Sequence, residues 1–219
     1  MTGGRLAHIC RHPIKGHGRE DLASVRLSAG QCLPWDRHWA VAHDAAKLVD
    51  GWNPCANFAR GAKAYALMAI ESDLDEATAI LTLRHPDRGT LTFRPDDPAD
   101  LPRFLDWVGP LNPANRAQPA RIVTAGRGMT DSEFQSVSIL NTASLADLSA
   151  RMGQDLSPHR WRGNLWLEGA APWAEFDWIG RTIRIGGASL RIDERITRCN
   201  ATKVNPETGI LDADTLSAL

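Results

Sequence analysis

The chain has 219 residues and a mass of 24.0 kDa, so it can bury a substantial core as one domain or as two small ones. Its 25 basic and 26 acidic residues give a net charge of −1, which argues against binding to nucleic acid or to anionic membranes. Hydrophobic residues make up 43% and charged residues 23%, a globular balance. We expect neither a membrane span, which needs about 18 consecutive apolar residues, nor a secretory signal in residues 1–15.

Four cysteines are spread along the chain, at Cys10, Cys32, Cys55 and Cys199. No two of them form the C-x-x-C pair of a zinc knuckle, and four are too few for a disulfide framework in a chain of this length. The cysteine content therefore predicts a protein of a reducing compartment, the cytoplasm.

The first half of the chain is predicted to consist mainly of strands. Short apolar or alternating runs predict them over residues 6–10, 24–28, 39–41, 66–70, 79–83 and 90–93. Gly89 predicts a hairpin turn between the last two. A helix is expected to begin at Pro98, with Asp97 as its cap, and to end at Gly109, because the apolar residues between them share one face.

Residues 109–120 carry three prolines and are predicted to connect an N-terminal section, residues 1–110, to a C-terminal section, residues 111–219. The C-terminal section is predicted to hold a helix over residues 142–152, ended by Gly153. Its strands are predicted over residues 121–124, 137–140, 164–167, 182–185 and 190–192, with a turn at residues 186–187. Many short strands and few helices favour a β-rich barrel fold over a doubly wound α/β fold.

The N-terminal region is rich in histidine. Its five histidines are His8, His12, His17, His38 and His43. None of them shows the spacing of a metal site, so we interpret them as surface or core residues. Residues 12–18 do not form a Walker loop, but Lys15 lies next to glycine in a loop after a strand and is a candidate contact for an anion.

Two charged groups leave both a structural and a binding interpretation open. Asp36 and Arg37 form either a structural ion pair or part of a site. Arg162 and Asn164 stand two residues apart at a predicted strand entry, where their side chains would share one face. They either contact a phosphate or a heterocycle edge together, or are a solvated arginine and a turn asparagine.

The most informative segment lies near the C-terminus. Cys199 is flanked by Arg195, Arg198 and Lys203, and nearby positive charge favours the thiolate that metal ligation or nucleophilic sulfur chemistry requires. Residues 205–209, NPETG, predict a tight turn that would hold the cysteine loop in place. From these residues alone, Cys199 is either a functional thiol or a buried structural cysteine.

Residues 198–209, RCNATKVNPETG, follow the pattern R-C-x-x-T-x-V-x-P-x-T-G, which resembles the signature of the MOSC domain, the molybdenum cofactor sulfurase C-terminal domain. Further segments are similar to family patterns, in family order, from about residue 5 to residue 219. They are HPIKG (12–16), DRHWAV (36–41), SILN (138–141), ASLADL (143–148), RWRGNL (160–165) and WAEFDWIG (173–180). The resemblance covers nearly the whole chain.

The resemblance implies a mainly β protein with a few helices, in which a MOSC-type β-barrel packs with a smaller N-terminal β-barrel-like region. It also implies a molybdenum cofactor, molybdopterin, with Cys199 as the metal ligand and catalytic residue. The residues expected to bind this cofactor are Lys15, Arg37, Ser138, Arg162, Asn164 and Thr202. Among them, Lys15 and Arg37 would neutralise its phosphate.

Three functions are compatible with the resemblance. The favoured one, because the motifs of both regions are present, is a molybdenum-dependent oxidoreductase that reduces N-hydroxylated or other small N–O or S–O compounds. The second is a sulfur carrier or sulfurtransferase with a persulfide on Cys199, and the third is a non-catalytic cofactor carrier. No clustered cysteines follow the signature, so a reductase is expected to use a separate ferredoxin-, flavin- or cytochrome-type electron donor. Residues 52–60 depart from the family pattern, which leaves the substrate-side wall of the pocket undefined.

Overall fold

The computed structural model describes residues 4–219, so the first three residues of the predicted N-terminal section lie outside the described part. Within it, the strands are β1 (Arg5–Arg11), β2 (Ile14–Lys15), β3 (Glu20–Asp21), β4 (Trp39–His43), β5 (Glu71–Asp75), β6 (Ile80–His85), β7 (Gly89–Phe93), β8 (Pro119–Thr124), β9 (Ile139–Asn141), β10 (Leu165–Glu168), β11 (Thr182–Ile185) and β12 (Ala188–Arg191). The α-helices are α1 (Leu101–Val108), α2 (Thr142–Met152) and α3 (Thr215–Ala218). Short 3₁₀ helices cover Cys55–Asn57, Tyr65–Ala69, Gly109–Leu111, Pro158–Trp161, Ala174–Trp178 and Asn200–Lys203. The protein is mainly β with a few helices, as predicted.

The strands form four sheets. Two of them are local: β5, β6 and β7 form an antiparallel meander, and β11 and β12 form a hairpin. The other two have the orders β3–β1–β10–β9 and β2–β4–β8. In these sheets β1 pairs antiparallel with β10, β10 pairs parallel with β9, and β4 pairs antiparallel with β8. Both of these sheets therefore bring N-terminal strands against strands from the second half of the chain.

The meander and helix α1 enclose the largest core. β5 and β6 alternate exposed and buried side chains, as strands do when one face lies on a core. Helix α1 adds Phe104 and Val108 to the same core, and Phe104 stacks on Phe93 of β7 with ring centroids 5.0 Å apart. Ile14 of β2 and Trp39 of β4 also belong to this core. It therefore supports the strands that carry the first site residues.

Helix α2 packs on a second core beside β10. Asn141 caps its N-terminus, because the Asn141 side chain accepts a hydrogen bond at 3.0 Å from the backbone N–H of residue 143. Gly153, with a φ of 62°, ends the helix in the left-handed conformation, as predicted. Leu148 of α2 belongs to the same buried cluster as Trp166 of β10. This core supports the segment between α2 and β10, which carries Arg162 and Asn164.

Two predicted strands are wrong. Residues 24–28 have no regular structure, and their alternation reflects the packing of Val25 and Leu27 against a cluster around Ile9 and Leu33. Residues 66–70 lie mostly in a 3₁₀ helix instead of a strand. Their alanines favour helical backbone. Strand β5, in contrast, was not predicted, because three of its five residues are acidic.

Other predicted boundaries agree with the structure to within a few residues. Helix α1 begins at Leu101 rather than at Pro98, because Asp97 accepts a hydrogen bond from the Ala99 N–H at 2.9 Å and forms a turn ahead of the helix. The helix ends at Gly109, and the turn at residues 186–187 joins β11 and β12, both as predicted. None of the helices in residues 4–219 combines the length and the apolar character needed to cross a bilayer.

Candidate functional site

Lys15 projects from β2, ahead of a tight glycine turn. Its side chain is buried, and its Nζ donates to the Met129 carbonyl oxygen at 2.9 Å and to the Asp131 carboxylate. Gly16 follows with a φ of 77°, and a Cβ at this position would meet the Ala59 carbonyl oxygen at 2.8 Å, so the turn requires glycine. Burial lowers the pKa of Lys15, and Asp131 opposes part of that effect. Lys15 is therefore a buried cation with Asp131 as its counter-ion.

Arg37 lies in the turn before β4 and is held by a buried carboxylate. Its guanidinium pairs with Asp36, and its Nη2 donates to the carbonyl oxygen of Arg162 at 2.8 Å. Asp36 also accepts a hydrogen bond from the backbone N–H of His12 at 2.9 Å. Burial opposes ionisation of Asp36, but Arg37 and His12 outweigh it and lower the pKa of this carboxyl. The ion pair is present, and it orients Arg37 toward Arg162.

Arg162 closes the 3₁₀ helix Pro158–Trp161 as its C-terminal cap, with φ 47° and ψ 38°. It therefore does not share a strand face with Asn164, which corrects that prediction. Its Nη1 donates to the Gly18 carbonyl oxygen at 3.0 Å, whereas its Nη2 is buried without a hydrogen-bond partner among residues 4–219. Burial and the proximity of Arg37 lower the pKa of Arg162 to about 9. A guanidinium in this state gains strongly from an anionic partner.

The two contacting arginines share an uncommon backbone conformation. Arg37 has a φ of 52° and Arg162 a φ of 47°. Residues other than glycine and asparagine rarely adopt this left-handed backbone conformation. Each such residue costs on the order of 1 kcal/mol or more. The next residue, Gly163, has to be glycine, because a Cβ there would lie 1.9 Å from a methyl carbon of Leu140 in β9. Strained residues of this kind concentrate at binding and catalytic sites.

Cys199 is exposed at the N-terminal end of the 3₁₀ helix Asn200–Lys203. The alternative that it is a buried structural cysteine is therefore wrong. Thr202 lies buried behind it and donates to the Cys199 carbonyl oxygen at 3.1 Å, while the hydroxyls of Thr202 and Thr215 lie 2.7 Å apart. The observed partners of the Thr202 hydroxyl are protein groups, so its role as a cofactor contact stays a prediction.

Arg198 precedes Cys199 in the chain and lies within electrostatic range of Arg37, and it was not among the predicted cofactor-binding residues. Its Nη1 donates to the Trp161 carbonyl oxygen at 3.3 Å, and its guanidinium lies 5.5 Å from the centre of the Trp161 ring. Burial lowers the pKa of Arg198 to about 10, while the neighbouring Cys199 sulfur favours the charged form. Its position next to the signature cysteine is the sequence signal that could have identified it.

The predicted turn after the cysteine loop is present. The Gly209 N–H donates to the Asn205 carbonyl oxygen at 2.8 Å, which closes the turn. Arg19, from the N-terminal region, donates to the carbonyl oxygen of the turn's proline at 2.9 Å. Arg160, two residues before the left-handed arginine, donates to Asp212 at 2.8 Å. These contacts hold the cysteine loop against Arg19 of the N-terminal region and against the 3₁₀ helix that carries Arg160.

Ser138 and Asn164 bind each other. Ser138 Oγ donates to Asn164 Oδ1 at 2.8 Å and accepts from the Asn164 N–H at 2.9 Å. The Asn164 side-chain amide also donates to the Cys10 carbonyl oxygen at 3.1 Å. These contacts join the ends of β9, β10 and β1 next to the left-handed arginine. The observed partners of both side chains are protein groups, and their roles as cofactor contacts stay predictions.

Asp131 is a site residue that the sequence reasoning missed. Its exposed carboxylate contacts Lys15 and lies within electrostatic range of Arg37 and Arg162. It belongs to a segment without regular structure, and a single aspartate in a loop carries no spacing signal. Trp52, from the segment that departs from the family pattern, donates to the carbonyl oxygen of residue 130 at 2.9 Å. That segment therefore forms a wall next to the site.

These contacts define a cationic cluster beside the exposed thiol. The cationic cluster consists of Lys15, Arg37, Arg162 and Arg198. No carboxylate forms a salt bridge with Arg162 or Arg198 within the described residues 4–219, so the cluster carries excess positive charge. A buried donor without a partner and excess positive charge fit a phosphate-bearing ligand, and an exposed thiol beside them fits a soft metal. The arrangement therefore matches the donor set that a molybdopterin cofactor requires.

Comparison with known proteins agrees with the resemblance. Residues 3–106 match the MOSC N-terminal beta barrel domain, and residues 127–218 match the MOSC domain. The chain is 27% identical over 172 residues to mitochondrial amidoxime-reducing component 1 of Homo sapiens, which covers 78% of this chain and 47% of the relative. It is 28% identical over 110 residues to mitochondrial amidoxime-reducing component 1 of Mus musculus, covering 50% of this chain and 32% of the relative. It is 34% identical over 76 residues to mitochondrial amidoxime reducing component 2 of Bos taurus, covering 35% and 22%.

The chain spans less than half the length of each of these relatives. The family matches, in contrast, run through both halves of the chain and include Cys199 and every residue of the cationic cluster. The chain therefore belongs to the MOSC domain family, with a MOSC N-terminal beta barrel domain ahead of the MOSC domain.

Proposed function

We propose that this protein is a molybdenum-cofactor-dependent oxidoreductase that reduces N-hydroxylated compounds or other small compounds with N–O or S–O bonds. The observation that carries the proposal is the buried, unpartnered Nη2 of Arg162, within a cationic cluster beside the exposed Cys199 thiol. The substrate class follows from the names of the relatives, which are amidoxime-reducing components.

The cationic cluster would hold the phosphate of the cofactor. Arg162 offers a free charged donor, and a hydrogen bond of this kind contributes about 1.5 to 3 kcal/mol. Lys15 and Arg37 reach the same place from the N-terminal region, so the two halves of the chain would share the ligand. The low dielectric constant of the protein interior strengthens each of these contacts, because little water competes for them.

Cys199 would supply a thiolate to molybdenum, a metal that favours sulfur ligands in this type of cofactor. When bound, the cofactor supplies the redox chemistry that removes oxygen from an N–O or S–O bond. The chain itself fixes the cysteine loop through Thr202 and through the turn from Asn205 to Gly209. Because Cys199 is exposed, a small substrate can reach this face.

Reduction of an N-hydroxy group to the corresponding N–H group consumes two electrons and two protons and releases one water. These electrons have to be supplied to the site, and we propose a separate donor protein of the ferredoxin, flavin or cytochrome type. Such a donor would approach the face on which Cys199 is exposed.

An activity measurement tests the proposal. Protein purified from a host that makes molybdopterin should reduce benzamidoxime to benzamidine with reduced methyl viologen as electron donor. Cys199→Ser should abolish this activity, whereas Cys32→Ser should retain it, because the Cys32 thiol is buried and donates to the Gly128 carbonyl oxygen. Cofactor-loaded protein that does not turn over would contradict the reductase proposal and favour the carrier alternative. Sulfane sulfur on Cys199 without molybdenum would favour the sulfurtransferase alternative.

A further inference from the structure

A second group of metal-ligand side chains lies outside the cationic cluster. One ligand atom each from Cys10, Asp21 and His159 lies within 4.8 Å of the other two. Cys10 in β1 and Asp21 in β3 are cross-strand partners, whereas His159 comes from the 3₁₀ helix Pro158–Trp161. We propose that these three residues bind a divalent transition-metal ion of the Zn²⁺ type.

The distances between the ligand atoms suit tetrahedral coordination. Bonds of about 2.3 Å from zinc to sulfur and about 2.0–2.2 Å from zinc to nitrogen and oxygen place neighbouring ligand atoms about 3.4–3.6 Å apart. Cys10 Sγ lies 3.2 Å from Asp21 Oδ1, and His159 Nε2 lies 3.9 Å from the other carboxylate oxygen, Oδ2. The three ligand atoms, all within 4.8 Å of one another, therefore have to draw closer around the ion by side-chain rotation.

The chemistry of the three groups selects the type of metal. One sulfur, one imidazole nitrogen and one carboxylate oxygen suit Zn²⁺ or Co²⁺, whereas Ca²⁺ and Mg²⁺ require oxygen ligands. A thiolate and a carboxylate together neutralise a divalent cation, which favours binding at a partly buried position. In the metal-free protein the Cys10 thiol donates a hydrogen bond to the Asp21 carboxylate at 3.2 Å. When the metal–sulfur bond forms, the thiol loses its proton to solvent.

The imidazole of His159 has a hydrogen-bonding nitrogen that the protein does not use. His159 Nδ1 is buried and has no hydrogen-bond partner in the part of the chain from residue 4 to residue 219, while its Nε2 lies on the side of Asp21. Cys10 is 2% exposed, whereas the side chains of His159 and Asp21 are 22% and 62% exposed, so an ion and a water can enter from one side. The neighbouring cation Arg19 is engaged with the carbonyl oxygens of residues 68 and 206. The hydrogen bonds of Arg19 are thus made to groups other than the three ligands.

A metal at this position would join the two matched domains. Cys10 and Asp21 lie within residues 3–106, and His159 lies within residues 127–218. The 3₁₀ helix that carries His159 would be held against β1, and the metal would stabilise the folded state by mass action. This inference does not depend on the molybdenum proposal, because it uses none of the residues of the cationic cluster.

Cobalt substitution tests the site. The full chain is titrated with Co²⁺ in a Cys55→Ser, Cys199→Ser background, because these two cysteines are not buried and would otherwise compete. We expect equimolar binding, a thiolate-to-cobalt charge-transfer band in the near ultraviolet and the strong visible bands of tetrahedral cobalt. Zn²⁺ should displace the Co²⁺ and raise the melting temperature of the protein.

Variants of the three ligands identify the atoms involved. Asp21→Asn and His159→Gln should weaken Co²⁺ binding by about tenfold or more, and Cys10→Ser should remove the charge-transfer band. Cys32→Ser is the matched control, since it removes another buried cysteine and should leave the titration unchanged. Absence of the band in the background protein, or its persistence in Cys10→Ser, would overturn the inference. If Cys10→Ser does not fold, unchanged affinity in both Asp21→Asn and His159→Gln would overturn it.

Discussion

Arg162 is the residue of the cationic cluster whose hydrogen-bonding capacity the protein leaves incomplete. Its left-handed backbone fixes where the guanidinium points, one of its two terminal nitrogens has a protein partner, and the other is buried without one. Burial and Arg37 lower its pKa to about 9, so the charged form is held at a cost. A bound anion would reverse that cost, which makes this residue the sharpest test of anion binding.

Replacement of Arg162 should weaken retention of the cofactor. We expect Arg162→Ala to raise the dissociation constant about 10- to 100-fold, because a charged hydrogen bond of about 1.5 to 3 kcal/mol is lost. Pterin and molybdenum content after dialysis measure this loss. Arg121→Ala, at an exposed arginine on β8, is the matched control. Equal cofactor content in Arg162→Ala and wild type would remove this residue from the site, and the same comparison applies to Lys15→Ala.

Asp131 contacts Lys15, so an anion that binds to Lys15 would compete with this carboxylate. Asp131→Asn keeps the shape of the side chain and removes its charge, so the cofactor-free protein should bind inorganic phosphate several-fold more tightly. Isothermal titration calorimetry measures this affinity. Glu133→Gln removes an exposed acidic charge two residues further on and should change it much less. Unchanged or weaker binding by Asp131→Asn would show that Asp131 does not compete for the cluster.

The cysteine loop depends on contacts between short elements. The hydroxyls of Thr202 in the 3₁₀ helix Asn200–Lys203 and of Thr215 at the start of α3 lie 2.7 Å apart, and both residues are buried. We expect Thr202→Val to lower the free energy of unfolding by about 1–3 kcal/mol, because it leaves the Thr215 hydroxyl buried without this partner. Urea unfolding measures the change. Ser217→Ala, which removes an exposed hydroxyl from α3, should have little effect, and an equal loss in both variants would contradict the assignment.

At the level of elements, strands, helices and turns are predicted correctly from the sequence where the local residue pattern agrees with the strand pairing in the structure. The hairpin turn at residues 186–187 and the Gly153 stop of α2 follow from local chemistry, and both are confirmed. Residues 24–28 have a strand pattern without a strand partner, and only the tertiary packing reveals this. Acidic β5 shows the opposite case, because its pairing with β6 outweighs its composition.

The candidate site was predicted from sequence to a similar extent. The signature segment pointed to Cys199, and the structure exposes it. The left-handed conformations of Arg37 and Arg162, their mutual contact and the counter-ion Asp131 depend on contacts between residues far apart in the chain. Nothing in the local sequence encodes such contacts, so sequence alone could propose the residue types but not their geometry.

On the scale of the whole molecule, the two halves of the chain are interleaved rather than merely adjacent. β1 pairs with β10 and β4 pairs with β8, so two sheets cross the predicted boundary between residues 110 and 111. The division into sections 1–110 and 111–219 stays a prediction. Because the site draws residues from both sections, its geometry depends on these shared sheets.

Two buried histidines make the stability of the whole molecule depend on pH. Burial, with Arg162 nearby, lowers the pKa of His12 to about 3, and burial lowers that of His17 to about 4. The unfolded chain, in which the histidine pKa is 6.5, then binds more protons than the folded one. Stability is therefore complete above pH 6.5 and falls as the pH drops toward the folded-state values.

Urea unfolding across this range measures the effect. We expect His17 to contribute a loss of about 3 kcal/mol between its unfolded-state and folded-state pKa values. His17→Gln should make the dependence on pH shallower, because it removes a buried histidine whose pKa is lowered on folding. A stability that stays constant from pH 6.5 to pH 4 would contradict the assignment of neutral, buried histidines.

The most direct measurement of the central claim is molybdenum X-ray absorption spectroscopy on protein loaded in a host that makes molybdopterin. The account predicts about one molybdenum per chain in the wild type and one sulfur ligand fewer around the metal in Cys199→Ser, with Cys32→Ser identical to the wild type. Identical sulfur coordination in Cys199→Ser and the wild type would contradict it, as would a wild-type protein that carries no molybdenum.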